Sequence, residues 1–241
     1  MDAGILSAMS GSLAAQTRLD AIANNLANAN TAGFKAERVL QRAARAGEIA
    51  PSLTAVPTPI TRERVETDFS QGPITQSGNP LDVALATDGF LVVKTERGER
   101  LTRSGSFSID SEGYLATGDG SRVQGSSGDI RIAASPVVIG ADGSVRAGEQ
   151  QVGKLRVVNV EDPTQLVRES GTRFAAGNQV PTDAAPGSVR VLQGATEGAN
   201  QAPVESLVAL IETIRGFEVY MRAAERLDQV TARAISDVGR V

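Results

Sequence analysis

The 241-residue chain contains no cysteine, no histidine and no tryptophan. Without cysteine or histidine it can build no disulfide framework, thiol nucleophile, zinc cluster or Ser-His-Asp triad. A cysteine-free chain is also indifferent to the redox state of its compartment. Aromatics make up only 3% of residues, which leaves few platforms on which bases or sugars could stack. The net charge is −4, the pI is about 5.1 and no five like charges run together, so a nucleic-acid surface is not expected. No stretch of 18 apolar residues is present to span a membrane. A cleaved secretory signal is not expected either: Asp2 is acidic, no Lys or Arg precedes Arg18, and Ser and Gly interrupt the apolar residues. These absences predict no enzyme activity, no cofactor, no metal and no direct membrane insertion.

What is present divides the chain into helical ends and a β middle, an α+β composition long enough for one large or two modest domains. In the first segment Ile5, Met9, Leu13, Ile22 and Leu26 recur at roughly helical spacing. The other faces carry Ala, Ser, Gly and Asn, with Asp2, Arg18 and Asp20 the only charges before Lys35. So little charge suits a helix with neighbours on several sides. Asn28, Asn30 and Thr31 weaken its end, where Asn24, Asn25 and Asn28 form a cluster, and Gly33 can supply a left-handed stop. Asn24 and Asn28 lie four apart on one face, where buried amides need partners.

The last segment has the stronger pattern. Leu207, Leu210, Ile214, Phe217, Met221 and Ala224 repeat at three and four residues, and Pro203 suits a first turn. The opposite face carries Glu212, Arg215, Glu218, Arg222, Glu225 and Arg226, with Glu218 four residues before Arg222. A helix of ~35 residues would be ~50 Å long. The two ends are expected to pair in a coiled-coil-like way, each keeping an apolar seam for partners.

Between them, residues 36–71 read as irregular. Arg38, Arg42 and Arg45 would extend a short helix, and Pro51, Pro57 and Pro59 would then enforce an extended stretch. From Gly72 onward the reading is β. Leu81, Val83 and Leu85 alternate, Phe90–Val93 is an apolar run, and turns fall at Arg97-Gly98, Glu112-Gly113 and Ala141-Asp142-Gly143. Strands at this spacing suggest an all-β barrel or sandwich. The expected domains are therefore 1–33 with 203–241 as a terminal helical assembly domain, 34–71 as a Pro-containing linker, and 72–202 as the β-rich domain.

One motif invites a nucleotide-binding reading and fails it. Gly148 to Lys154 spells a phosphate loop up to its last position, where Leu155 replaces the metal-binding Ser or Thr. A strand pattern follows in place of a helix, so a hairpin turn is expected. Asp110, Glu112 and Asp119 lack the spacing of a calcium loop.

Four segments, taken in order, resemble a known family. Ile22-Ala23-Asn24-Asn25-Leu26-Ala27-Asn28 followed by Thr31-Ala32-Gly33-Phe34-Lys35 resembles the signature of the flagellar axial proteins, the rod and hook subunits. Gln71 to Ala84, then Thr102-Arg103-Ser104-Gly105-Ser106-Phe107, is similar to the start of that family's β domain, and Arg215-Gly216-Phe217-Glu218 to its closing helix. Where the family tends to have Leu-Glu-x-Ser-Asn-Val, this chain has Ala195 to Gln201, keeping only an acidic residue and Asn200. The short 47–71 stretch resembles the proximal rod type more than the distal.

The resemblance implies a structural subunit of the periplasmic rod, exported unfolded through the flagellar type III apparatus without a cleaved signal. It would assemble axially with other rod subunits and copies of itself in a helical array. The residues expected at the assembly interface are Met9, Leu13, Ile22, Asn24, Asn25, Leu26, Asn28, Gly33, Phe34, Leu207, Leu210, Ile214, Phe217 and Met221. The alternatives are a distal rod subunit, or an exported β-domain binding module that its helices dimerise.

Overall fold

The computed structural model describes residues 2–43 and 61–238. Helix α1 spans Asp2–Ala27 and helix α2 spans Pro203–Val238, so both ends are helical as the periodicity predicts. Between them lie short strands, the first being β1 (Glu37–Ala43), β2 (Thr61–Thr67), β3 (Ile74–Gln76), β4 (Val83–Leu85), β5 (Phe90–Thr95), β6 (Gly98–Thr102), β7 (Phe107–Ile109), β8 (Leu115–Thr117) and β9 (Arg122–Gly125).

The chain divides into two compact units. Met1–Ala27, Glu37–Thr67 and Ala202–Val241 form a helical unit, and Asn28–Ala36 with Asp68–Gln201 form a β unit. Within the helical unit, β1 and β2 pair antiparallel along their whole length, from Glu37 opposite Thr67 to Ala43 opposite Thr61. This corrects the expectation of an irregular stretch beginning with a short helix. Arg38 and Arg42 lie on β1, on either side of the adjacent apolar pair Val39 and Leu40. Arg45, Pro51, Pro57 and Pro59 lie outside the described residues.

The β unit is centred on β5. Its largest sheet runs from Val167–Ser170 through Arg173–Ala175, β6, β5, β9 and β8 to β7, with all pairings antiparallel. Smaller sheets join β4 to Val191–Gln193, β3 to Ala195–Glu197, and Val137–Ile139 through Ser144–Ala147 to Gln150–Lys154. The sheets do not close into a barrel. Many strands are only two to four residues long and end at turns or bulges, so the pairing breaks into separate sheets around shared cores.

The alternation of β5 builds two of those cores, because successive side chains point to opposite faces. Leu91 and Val93 join Val83, Leu85, Leu115, Val123, Val145 and Val157 on one side. Phe90 and Val92 join Leu101, Val158, Leu166 and Phe174 on the other. Phe69 closes the second cluster edge-on against Phe90 and Phe174, with ring centroids 5.6 and 5.0 Å away. The phosphate-loop-like segment is a turn at Gly148 followed by the strand Gln150–Lys154.

Candidate assembly surface

The two helices pair within the helical unit, and small residues make the seam. On α1, Ala8 and Ala15 are buried and Gly11 lies between them, at spacings of three and four. Gly11 meets Tyr220 of α2 so closely that a Cβ built there would lie 2.6 Å from the tyrosine ring. Ala209, Thr213, Gly216 and Tyr220 recur along the matching face of α2, and together with Gly11, Ala14, Ala15, Arg18 and Glu212 they line a groove of about 300 Å³. Ser206 is buried near the start of this face.

Because small side chains form the contact, the large apolar ones are left outside. Met9 is 59% exposed and Leu13 66%, one turn apart on α1. On α2, Leu207, Val208, Ile211, Ile214, Val219 and Met221 are all exposed. Leu210, Phe217 and Ala224 are half-buried. The stripe read from the sequence therefore straddles two surfaces. Leu210, Phe217 and Ala224 flank the seam, whereas Leu207, Ile214 and Met221, also spaced by seven, turn outward. On the outer face Glu218 and Arg222 form the expected i,i+4 ion pair at 2.9 Å.

The asparagine-rich exit from α1 is held inside the chain. Asn25 is buried, and its amide pairs with the backbone of Glu37 as a neighbouring strand would. Nδ2 donates to the Glu37 carbonyl and Oδ1 accepts from the Glu37 N–H, both at 2.8 Å. Asn28 accepts a bond from the Thr31 hydroxyl, and its carbonyl accepts from the Thr31 N–H. Asn24, Ile22 and Leu26 are half-buried. Gly33 has φ +72°, and a Cβ there would meet the Ser104 backbone nitrogen at 2.2 Å, so the left-handed turn and the close approach both require glycine. Phe34 is fully buried under the guanidinium of Arg168, 4.8 Å from the ring centroid.

Sequence reasoning missed the polar cluster that follows, which lies entirely within the β unit. Lys35 and Glu197 are both fully buried and bonded at 2.5 Å. Arg103 approaches the other Glu197 oxygen at 3.4 Å, donates to the Thr87 carbonyl and stacks over Phe90. Glu197 also accepts from the Gly72 N–H, and Lys35 donates to the Ser70 carbonyl. Burial pushes the Lys35 ammonium below its ordinary value, while the bond to Glu197 opposes the shift. The only prior signals were a lysine inside an apolar motif and one acidic residue in a glycine-rich stretch.

Comparison with known proteins decides the family. Residues 5–35 match the family described as "Flagella basal body rod protein", and residues 84–147 match "Flagellar hook protein FlgE/F/G D1 domain". The chain is 31% identical to the flagellar basal-body rod protein FlgF of Caulobacter vibrioides, with 100% of both chains covered. It is 33% identical to FlgF of Salmonella typhimurium, with 97% of each chain covered, and 31% identical to FlgG of Bacillus subtilis, covering 96% of this chain and 97% of the relative.

The chain belongs to the flagellar basal-body rod protein family. It is a structural subunit of the rod, of the proximal, FlgF-like kind that its full-length relatives support, and not an enzyme. It functions in motility as part of the basal body and assembles with other subunits of the rod and hook. The rod-protein match covers α1 from Ile5 onward, its asparagine-rich exit and Lys35. The D1 match begins inside β4 and ends with the strand Ser144–Ala147.

Proposed function

We propose that this rod subunit is incorporated through the outward apolar faces of α1 and α2, which pair in a coiled-coil-like manner and close fully only against neighbouring subunits. The observation that carries this reading is the segregation by size: Ala8, Gly11 and Ala15 make the intrachain seam, while Met9, Leu13, Leu207, Ile214 and Met221 stand exposed. Contiguous exposed apolar surface on a soluble chain marks an interaction site. Ile22, Leu26, Leu210 and Phe217 border that surface, and Asn24 and Asn28 add hydrogen-bonding capacity at its end. Asn25, Gly33 and Phe34 shape the interface from within, by fixing how the chain leaves α1.

In this reading 1–33 and 203–241 act as the assembly domain, 34–71 connects it, and 72–202 is carried on it. Copies stack in a helical array within the periplasmic part of the rod, next to other rod subunits. The subunit reaches that place through the type III export apparatus without a cleaved signal and does not insert in the membrane; no helix among the described residues is long and apolar enough to cross one. Torque passes along the helices, and no chemistry is performed. A distal position is the second reading, favoured by the full-length likeness to FlgG.

Replacing Leu13 and Met221 together by Asp tests the interface. The variant should leave the β unit's unfolding transition unchanged, yet abolish incorporation into basal bodies and swimming. Normal incorporation of the double variant would refute the interface.

A further inference from the structure

Three backbone segments of the β unit run directly into the helical unit: 33–36 into Glu37, 68–72 back from Thr67, and 197–200 toward Ala202. Hydrogen bonds join all three to one another. The Gly33 N–H donates to the Glu197 carbonyl at 2.7 Å, and the Asp68 N–H to the Ala36 carbonyl at 2.8 Å. Asn200 accepts from the Ala36 N–H at 2.7 Å and donates from Nδ2 to the Asp68 carbonyl at 2.7 Å and the Ser70 carbonyl at 3.1 Å. Lys35 joins the first segment to the second through Ser70 and to the third through Glu197. Glu197 in turn reaches Gly72 and Arg103, and Arg103 fastens the group to Thr87 and Phe90 beside β5.

Burying two cations and one carboxylate is a poor route to stability, because well-packed apolar side chains of similar volume commonly do as well or better. What such a cluster provides is direction: each charge accepts only a few geometries, and a one-residue slip of any segment would strand it. We propose that Lys35, Glu197 and Asn200 are positioning residues for torque transfer through the assembled subunit. They hold the three segments in a single register, so that force on the helices enters the β unit through hydrogen-bonded backbone rather than through freely jointed linkers. The inference rests on the rod-subunit reading and adds to it a mechanical function for a buried polar cluster.

The test compares variants of equal stability in a strain that lacks this chain and is complemented with it. Asn200→Ala and Glu197→Gln are each compared with Val145→Ala, which thins the apolar core away from the clamp. Urea midpoints of the purified chains are measured, and reading temperatures are chosen so that a clamp variant and the core variant are equally folded. At matched folding the clamp variants should enter basal bodies but lose swimming, while Val145→Ala swims like wild type. Equal swimming at equal stability would overturn the inference and leave the residues as ordinary structural groups. Failure of the wild-type chain itself to restore swimming would instead sink the rod-subunit reading, and the inference with it.

Discussion

In the β unit most large apolar side chains point inward: Val83, Leu115, Val123 and Val145 are 0% exposed and both faces of β5 are covered, with Val167 and Val180 the main exceptions. In the helical unit the arrangement is reversed. Alanine and glycine fill the seam, and Met9, Leu13, Val204 and Leu207 are at least half exposed. Burial of apolar surface stabilises by about 25 cal/mol per Å², so the first unit satisfies that drive within one chain, whereas the second leaves much of it for association. One region is complete as a monomer, and the other, in the proposed reading, is completed by neighbours.

The largest effect should come from breaking the complete region at its least replaceable point. Glu197→Leu leaves Lys35 and Arg103 buried without their carboxylate, a loss expected to cost about 3–5 kcal/mol. Urea denaturation followed by a probe of the β unit should show it, and a change under about 1 kcal/mol, the scale of exposed ion pairs, would mean that water reaches the cluster. A smaller effect is expected on the incomplete side. Gly11→Val would push the Tyr220 ring off α1 and should cost about 1–3 kcal/mol of helix pairing, seen as lost helical circular dichroism with the β unit's transition unmoved. If both units melted together, the helix pairing would not be a separate transition.

The smallest effect is acid sensitivity. Asp110 is held below its usual carboxylate range by the backbone N–H groups of Tyr114 and Glu112 and by Arg122, Asp142 by the hydroxyl and N–H of Ser144, and Glu169 by Arg100. These groups ionise more readily folded than unfolded. Their contribution is present above the unfolded value near about 4 and is lost as pH falls through the lower folded values. The β unit's melting temperature should decline over that interval and stay flat from neutral pH down to it; a decline beginning near neutrality would point to other groups.

Much of this organisation was legible in the sequence, for physical reasons. Periodicity of 3.6 marked both helices, and alternation or an apolar run bounded by turns marked β4 and β5. The ribbon β1–β2 was not legible, because most of its residues are charged or polar and Val39, Leu40 and Val65 give no apolar alternation strong enough to outweigh the intervening prolines. The seam was missed for a related reason. Ala8, Gly11 and Ala15 contribute little to a hydrophobic pattern, yet they allow the closest approach, so the pattern is dominated by Met9 and Leu13, which face outward. The Lys35–Glu197 pair spans 162 residues, and no local pattern reports a contact at that separation.

The claim that the helical faces are completed only on assembly is tested most directly by amide hydrogen exchange on the purified monomer and on isolated basal bodies. Amides of α1 and α2 should exchange quickly in the monomer, while those of β5 and β9 are strongly protected, and in basal bodies the helices should become as protected as the strands. Full protection of both helices in the monomer, unchanged in basal bodies, would contradict the account.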